Sequence, residues 1–525
     1  QTFKGEHSVK MTGTITQTNN RGIVNLIAPD KSLEFSGTVN IWEDPFDALD
    51  RRLVFDGTGT TVISGTIQDA DPSLGTGEPR SIVKTGTGTL RFNTAANGVN
   101  HGGAMVVNMG QVHYATNDSL NVGGGLIRST GGAVGVDTGV ANNSALNAKI
   151  DPTSTGGLML APSDAAATID FTTTLNNAGK MTVAAPAAGM TFTGTIVPAN
   201  STYGLGGGTG KLTLPNAQLS GNNAVEIRNG GTVELLGDNT YTGATRIMTK
   251  YASTNQDRAA ADNAGNISSL YYKQVAPTLV VDDLANGGAA SSIGAASSDA
   301  ANLYIQGGTL KYVGTGDTTN RLFTIGTGGG TIDSSGTGAV VFSNTGLVGA
   351  ADAASRYGLL NDLQQNPNVI YDVADTTDII IGMPVSDPGP PTSAGLTTGC
   401  GPGGTNCIVA GTTVTGIDGT QVGLSQNTVR GIYNPATIVY GAVPRTFTLS
   451  GTNTADNTIA SAIGNSAAGS VVTVEKTGSG KWVLSGANTY TGRTIVREGI
   501  LSVTNPVLTD SSVVELLTGG GLNLN

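Results

Sequence analysis

The residues able to do chemistry are few and widely spaced. Cys400 and Cys407 bracket Gly-Pro-Gly-Gly-Thr-Asn, a flexible spacer that lets two thiols meet, as free thiols or as one disulfide. Zinc is a poor fit, because the three histidines, His7, His101 and His113, lie far away in sequence. His101 follows Asn100 in a turn and His113 stands between Val112 and Tyr114. Neither has a Ser or Cys nucleophile motif beside it, so both read as satisfied or solvent-facing rather than catalytic. Asp44, Asp47 and Asp50 could make a carboxylate site. The plainer reading is a solvated loop or short lateral helix whose acids face Arg51 and Arg52. Gly210-Lys211 is followed by Leu212, not Ser or Thr, so it is no phosphate loop. The run Gly328–Asp333 has Thr331 where a calcium-binding β-roll needs Gly, occurs once, and is rejected. No Gly-x-Ser-x-Gly or His-Glu-x-x-His stretch is present. Carboxylate pairs for glycoside cleavage could still assemble from distant segments without a local signature. No metal or cofactor is expected.

The elements that would position any such groups are short strands. Residues 476–503 hold three, at 481–484, 494–496 and 500–503, separated by Ser-Gly-Ala-Asn, Thr-Tyr-Thr-Gly and Glu-Gly. Gly and Asn are the residues that turn the backbone or take positive φ. Strands this short bury a face only when stacked on copies of themselves. Such copies exist. Lys84-Thr-Gly-Thr-Gly-Thr-Leu90 matches Lys476-Thr-Gly-Ser-Gly-Lys-Trp482, and Gly208-Thr-Gly-Lys-Leu212 repeats its core. Leu235-Leu-Gly-Asp-Asn-Thr-Tyr-Thr-Gly243 mirrors Leu484-Ser-Gly-Ala-Asn-Thr-Tyr-Thr-Gly492. The recurring corner residues are Asn239, Tyr241 and Gly243 in one copy and Asn488, Tyr490 and Gly492 in another. Recurrence of the tyrosines at one repeat position fits a corner cap better than sugar stacking.

These copies resemble the autotransporter-associated β-strand repeat, or passenger-associated transport repeat, of secreted bacterial proteins. Residues 320–344 and 445–457 are similar to that family's intervening segments. The resemblance covers roughly residues 80 to 350 and 430 to 525. It implies a secreted protein of the bacterial cell surface, and it leaves function open, since such repeats scaffold adhesins, structural proteins and some enzymes. For an exported chain, a Cys400–Cys407 disulfide is the expected state.

Composition agrees with a solenoid. Gly numbers 78 of 525, charged residues are 12% and aromatics 5%, against ~25% charged in an average domain. Few charges with abundant Gly, Thr, Ser and Asn exclude a helical bundle and disfavour a disordered polyelectrolyte, and an unstructured Gly/Ser polymer would lack the regular Val, Ile and Leu alternation. The net charge of −11 argues against nucleic acid as partner. No apolar run reaches ~18 residues, so no membrane-spanning helix is expected. A basic-then-apolar leader is not seen at the start.

The expected fold is all-β: a right-handed parallel β-helix rod of about twenty rungs, with a lateral inserted β lobe. Residues 1–80 form an N-terminal β region, with strands at 12–16, 22–27, 33–41, 53–55 and 61–67. Residues 81–350 carry repeats, interrupted at 251–275 by a lateral excursion with a short helix near 257–263. Residues 351–430 form the lobe, with a helical candidate at 356–365, Pro384, Pro388, Pro390 and Pro391, and both cysteines. Within it, 375–385 and 409–418 look like halves of one β module, the first place to seek a partner site. Residues 431–525 resume the repeats.

Three functions follow. The first is a non-catalytic extracellular structural subunit. Its last strand, with Leu522 and Leu524, has no cap, and no membrane barrel follows. A second copy could cover that end, and head-to-tail contacts that do not close build a fibre, filament or layer. The second is an autotransporter-type adhesin passenger, with cell-surface or matrix glycans as candidate partners. The third is a polysaccharide-active β-helix enzyme.

Overall fold

Alternation within very short strands dictates the architecture. In Ser32–Phe35 the side chains of Leu33 and Phe35 are buried while their neighbours are half-exposed. In Lys211–Leu214 the same rule turns Leu212 and Leu214 inward and Lys211 outward. Two buried side chains contribute about 1.5–3 kcal/mol each, too little for a strand to stand alone. Stacking supplies the rest. The computed structural model describes residues 1–17, 21–41, 52–69, 81–93, 99–100, 102–120, 125–253, 272–353, 356–360, 368–371, 373, 376, 378–386, 408–418, 421–426, 435–504 and 513–524.

The stack is a β-solenoid of about 17 turns with little helix. Its longest sheet has 14 strands, from Val9–Met11 to Gly349–Ala350. In-register parallel pairing lines up one inward column through Leu90, Val112, Val134, Leu158, Val183 and Leu205, and on through Ile227, Ile247, Ile305 and Ile325. Phe92 and Tyr114 stack in the next column with ring centroids 5.1 Å apart. A 10-stranded sheet, from Met190–Thr191 to Val514–Leu516, makes a second wall. A six-stranded sheet, from Asp317–Thr319 to Gly520–Leu524, adds a third in the C-terminal part. Both run past residue 350, so the coil resumes directly on itself after the lobe. Thr331 is the register partner of Thr448, and Phe342 of Ile459.

Several local expectations change. The strand expected over 33–41 is two, Ser32–Phe35 and Val39–Ile41. Gly37 divides them at a corner where a Cβ would fall on the Gly13 carbonyl. The strand expected over 12–16 is shorter and shifted, Ile15–Gln17, with a further strand before it at Val9–Met11. The helical candidate at 356–365 opens instead as the strand Arg356–Leu360, antiparallel to Pro435–Tyr440. Gly358 inside it weakens a helix by about 1 kcal/mol, and the sheet partner satisfies the same backbone groups. The excursion after residue 250 is an antiparallel hairpin, Lys250–Ser253 with Tyr272–Val275; its expected helix at 257–263 lies outside the described residues. Ser144–Lys149 is a helix that sequence reading missed, capped by Asn143, whose side chain accepts from Leu146 N at 2.9 Å. Among the described residues no helix is long and apolar enough to cross a membrane.

Candidate functional site

The repeat corners are built from backbone first. Gly86, Asn229 and Gly478 occupy one repeat position and share a left-handed φ of 65°, 64° and 67°. Two residues before the outer pair, Lys84 and Lys476 point into the core. They are 2% and 0% exposed. Lys84 lies in register between Phe55 and Val107, and Lys476 between Leu449 and Val496. Each ammonium bends back onto its own corner. Lys476 Nζ donates to Thr477 O and Gly478 O at 2.6 Å and to Glu498 O at 3.1 Å. Lys84 Nζ donates to Thr85 O and, at 2.8 Å, to Gly86 O. Burial pushes Lys84 down to about 7 and Lys476 to about 8, opposed by Asp56 for the first and by Glu498 and Asp333 for the second.

The second corner carries the asparagine, tyrosine and glycine singled out above. Asn239 Oδ1 accepts from Leu219 N at 2.9 Å, and Asn488 Oδ1 from Ile463 N at 3.0 Å, each reaching the preceding rung. Tyr241 and Tyr490 are buried, their hydroxyls 2.6 and 2.7 Å from Thr245 Oγ1 and Thr494 Oγ1. Gly243 and Gly492 donate their N–H to Asn223 O at 3.0 Å and Val472 O at 3.1 Å. A Cβ on either would collide with those carbonyls.

Two polar clusters lie on the flanks. His113 Nδ1 is 3.2 Å from Asp137 Oδ1, Asp137 also pairs with Arg91, and His113 Nε2 is 3.3 Å from Gln111 Oε1. Burial lowers the imidazole below its usual range, against the pull of Asp137. Between Thr278–Val281 and Leu303–Gln306, residues 284–296 wrap a buried arginine. Arg321 donates to Leu284 O at 3.0 Å, Ala296 O at 2.9 Å and Gly294 O at 2.7 Å, with further bonds to Ala285, Asn286 and Ala289. Beside it, Asp283 and Asp317 both accept from one donor, Ala285 N, at 3.0 and 3.1 Å. This carboxylate pair has no signature in the sequence; coil geometry alone joins Val-Asp-Asp-Leu to Gly-Asp-Thr. Both groups are committed to the shared Ala285 N–H, with Leu284 N a second donor to Asp317, whereas a glycosidase holds its carboxyls ~5 Å or more apart across the substrate. Among the described residues no group of three or more His, Cys, Asp or Glu could hold a metal ion.

The lobe leaves the rod after Ala350. Its six strands pair antiparallel in the order Val385–Ser386, Pro435–Tyr440, Arg356–Leu360, Val369–Tyr371, Gln421–Leu424, Val414–Asp418. The two outer members also meet: Pro384 bridges Thr413, Val385 N donates to Thr412 O at 2.9 Å and Val414 N to Met383 O at 2.9 Å. The sheet thus closes into a small barrel without free edges. The described parts of the stretches 375–385 and 409–418 are brought together at this seam. Ile370, Met383, Val414, Val422 and Ile438 fill a core separate from that of the rod. A cavity of about 880 Å³ opens beside the seam, lined by Pro384, Val385, Ile408, Thr412 and Gly441 and by no charged side chain among the described residues. At the root, Arg445 pairs with Asp352 and donates to Ala351 O at 2.6 Å. Tyr304 of the rod donates to Asp378 of the lobe.

Cys400 and Cys407 lie outside the described residues, as do His101, Asp44, Asp47 and Asp50. Leu522 packs partly against the core and Leu524 is 65% exposed.

Comparison with known proteins bears on this arrangement. The Passenger-associated-transport-repeat matches at residues 82–111, 228–249 and 474–503, which contain both corners just described. The chain is 34% identical over 249 residues to the "Adhesin BmaC autotransporter" of Brucella suis biovar 1 (strain 1330). That match takes in 47% of this chain and 5% of the relative, so the chain spans a small fraction of the length of the protein it resembles. No solved structure matches the chain.

Proposed function

We propose that this chain, which carries passenger-associated transport repeats and is a secreted protein of the bacterial cell surface, is a non-catalytic segment of an autotransporter adhesin passenger. The observation that carries the reading is the similarity to an autotransporter adhesin across nearly half of the chain. The lobe gives it a physical form, because a folded barrel projects from a ladder that resumes in register beneath it. Rigid scaffolds that hold a side module away from the ladder suit contact with another surface.

The test is binding of the purified, labelled chain to host cells and to an array of matrix proteins and glycans. Saturable binding supports the reading; none on any surface overturns it. A glycan panel assayed for released sugar checks the non-catalytic part, and turnover would revive the polysaccharide-active reading.

A further inference from the structure

We propose that a proton on Asp283, held against Asp317, acts as an acid-set latch on the loop 284–296, holding this flank of the rod tighter in acid than at neutral pH. The geometry carries the argument. Asp317 Oδ2 accepts from Leu284 N at 2.7 Å and Ala285 N at 3.1 Å, while Asp283 Oδ1 accepts from the same Ala285 N at 3.0 Å. Asp317 has Leu284 N to itself, but Asp283 must share Ala285 N with it, so the two carboxylates converge on one donor and a proton on Asp283 relieves their repulsion. The donor they share is a strained point. Ala285 has φ of 33°, a left-handed conformation that an alanine keeps only when its surroundings hold it there. Its carbonyl is held as well, by Thr319 Oγ1 at 2.5 Å and Arg321 Nε at 3.3 Å.

The charged and titratable groups facing Asp283 come from every neighbouring element. Asp282 and Asp317 flank it, Asp238 approaches from the preceding rung, and Arg321 and Tyr312 lie on the following ones. Four acids, Asp283 included, against one guanidinium leave the site negative. Arg321 is already bonded to carbonyls of the loop and does not form an ion pair with Asp283 in the structure. Burial first, and then the hydrogen bond to Asp317, raise Asp283 to about 6. A carboxyl raised above its unfolded value contributes stability that is full below about pH 4 and is lost as pH climbs through 6. Above that the two carboxylates repel, and Asp283, which is only partly buried, has solvent to turn toward. The loop then loses one of the two oxygens that hold Ala285.

Hydrogen–deuterium exchange of the full chain at pH 5 and pH 8, corrected for intrinsic rates, tests this. Peptides spanning 284–296 are expected to lose protection by about tenfold or more at pH 8, while those over 224–227 stay unchanged. Asp283→Asn supplies a permanent neutral partner and is expected to abolish the difference at full protection. Asp317→Asn, which keeps one acceptor for the loop, is expected to flatten the pH response as well. Equal protection at both pH values in the parent chain, or a pH response that survives Asp283→Asn, overturns the proposal. Should Asp283→Asn unfold, the parent chain's own pH comparison still decides.

Discussion

Lys84 and Lys476, in the first and last of the matched repeats, make the same contact: each is buried and hands its ammonium protons to the carbonyls of the next two residues. In the middle repeat Ile227 holds that place, in register between Leu205 and Ile247. The lysine therefore serves its corner as an internal cation, bonding carbonyls that the stacked sheets leave without donors. Replacing Lys476 by Met keeps the volume and removes the donor. Orphaned buried acceptors cost about 1–3 kcal/mol, so the variant should unfold at lower urea at pH 7. An unchanged midpoint would show that the carbonyls find other donors.

The same lysines set a pH slope. Their folded values of about 7 and 8 lie below the ordinary lysine value, so between those values and ~10.4 the unfolded chain binds more protons than the folded one. Their contribution to stability should thus rise as pH climbs from about 7 toward 10. Comparing urea midpoints of the parent and the Lys84→Met, Lys476→Met double variant over that window isolates it. A parallel pH dependence in both would reject this assignment.

Gly492 should tolerate no side chain. A Cβ there falls on the Val472 carbonyl, and overpacking costs about 1–3 kcal/mol. Gly492→Ala should lower the melting temperature, whereas Gly13→Ala, with nothing within 4 Å of the new atom, should leave it within error.

Tyr490→Phe removes a hydroxyl 2.7 Å from Thr494 Oγ1 in a buried corner. About 1 kcal/mol of stability should go with it, with no change in binding to any surface the parent recognises. Loss of binding without loss of stability would instead give the ring a contact role.

Arg445 and Asp352 close the neck of the lobe. Burial alone would raise Asp352, but hydrogen bonds from Ser466 and Ser470 and the charge of Arg445 outweigh it and hold the carboxyl low. The stability it contributes is present above the unfolded value and lost as pH falls through the folded one. Arg445→Met leaves the carboxylate with only its serine and backbone donors and should loosen the neck. Faster proteolysis near residues 352 and 445 is the expected readout, and parent-like resistance would count against the clasp.

The rod was legible because period-two alternation and corner glycines are local: strands at 481–484 and 494–496 appear where the pattern puts them. The two lobe halves were legible for the same reason. Their closure into a barrel was not, since the strands Arg356–Leu360 and Pro435–Tyr440 meet only through long-range pairing. Lys84, Lys476 and Arg321 were invisible as core residues, because a charged side chain in a Gly-Thr-rich turn reads as solvated until the carbonyls around it are seen. The Asp283–Asp317 pair depends on coil geometry that no motif encodes.

The coil continues in register beneath the lobe, and a disulfide placed across that junction is the sharpest check of it. With Cys400 and Cys407 replaced by Ser, Thr331→Cys and Thr448→Cys place thiols on outward register partners, ~4.8 Å apart at Cα and within disulfide reach. Mild oxidation should cross-link them almost completely, while Thr309→Cys with Thr448→Cys, two rungs apart, should stay reduced. No 331–448 cross-link, or equal yields from the two pairs, would contradict the account.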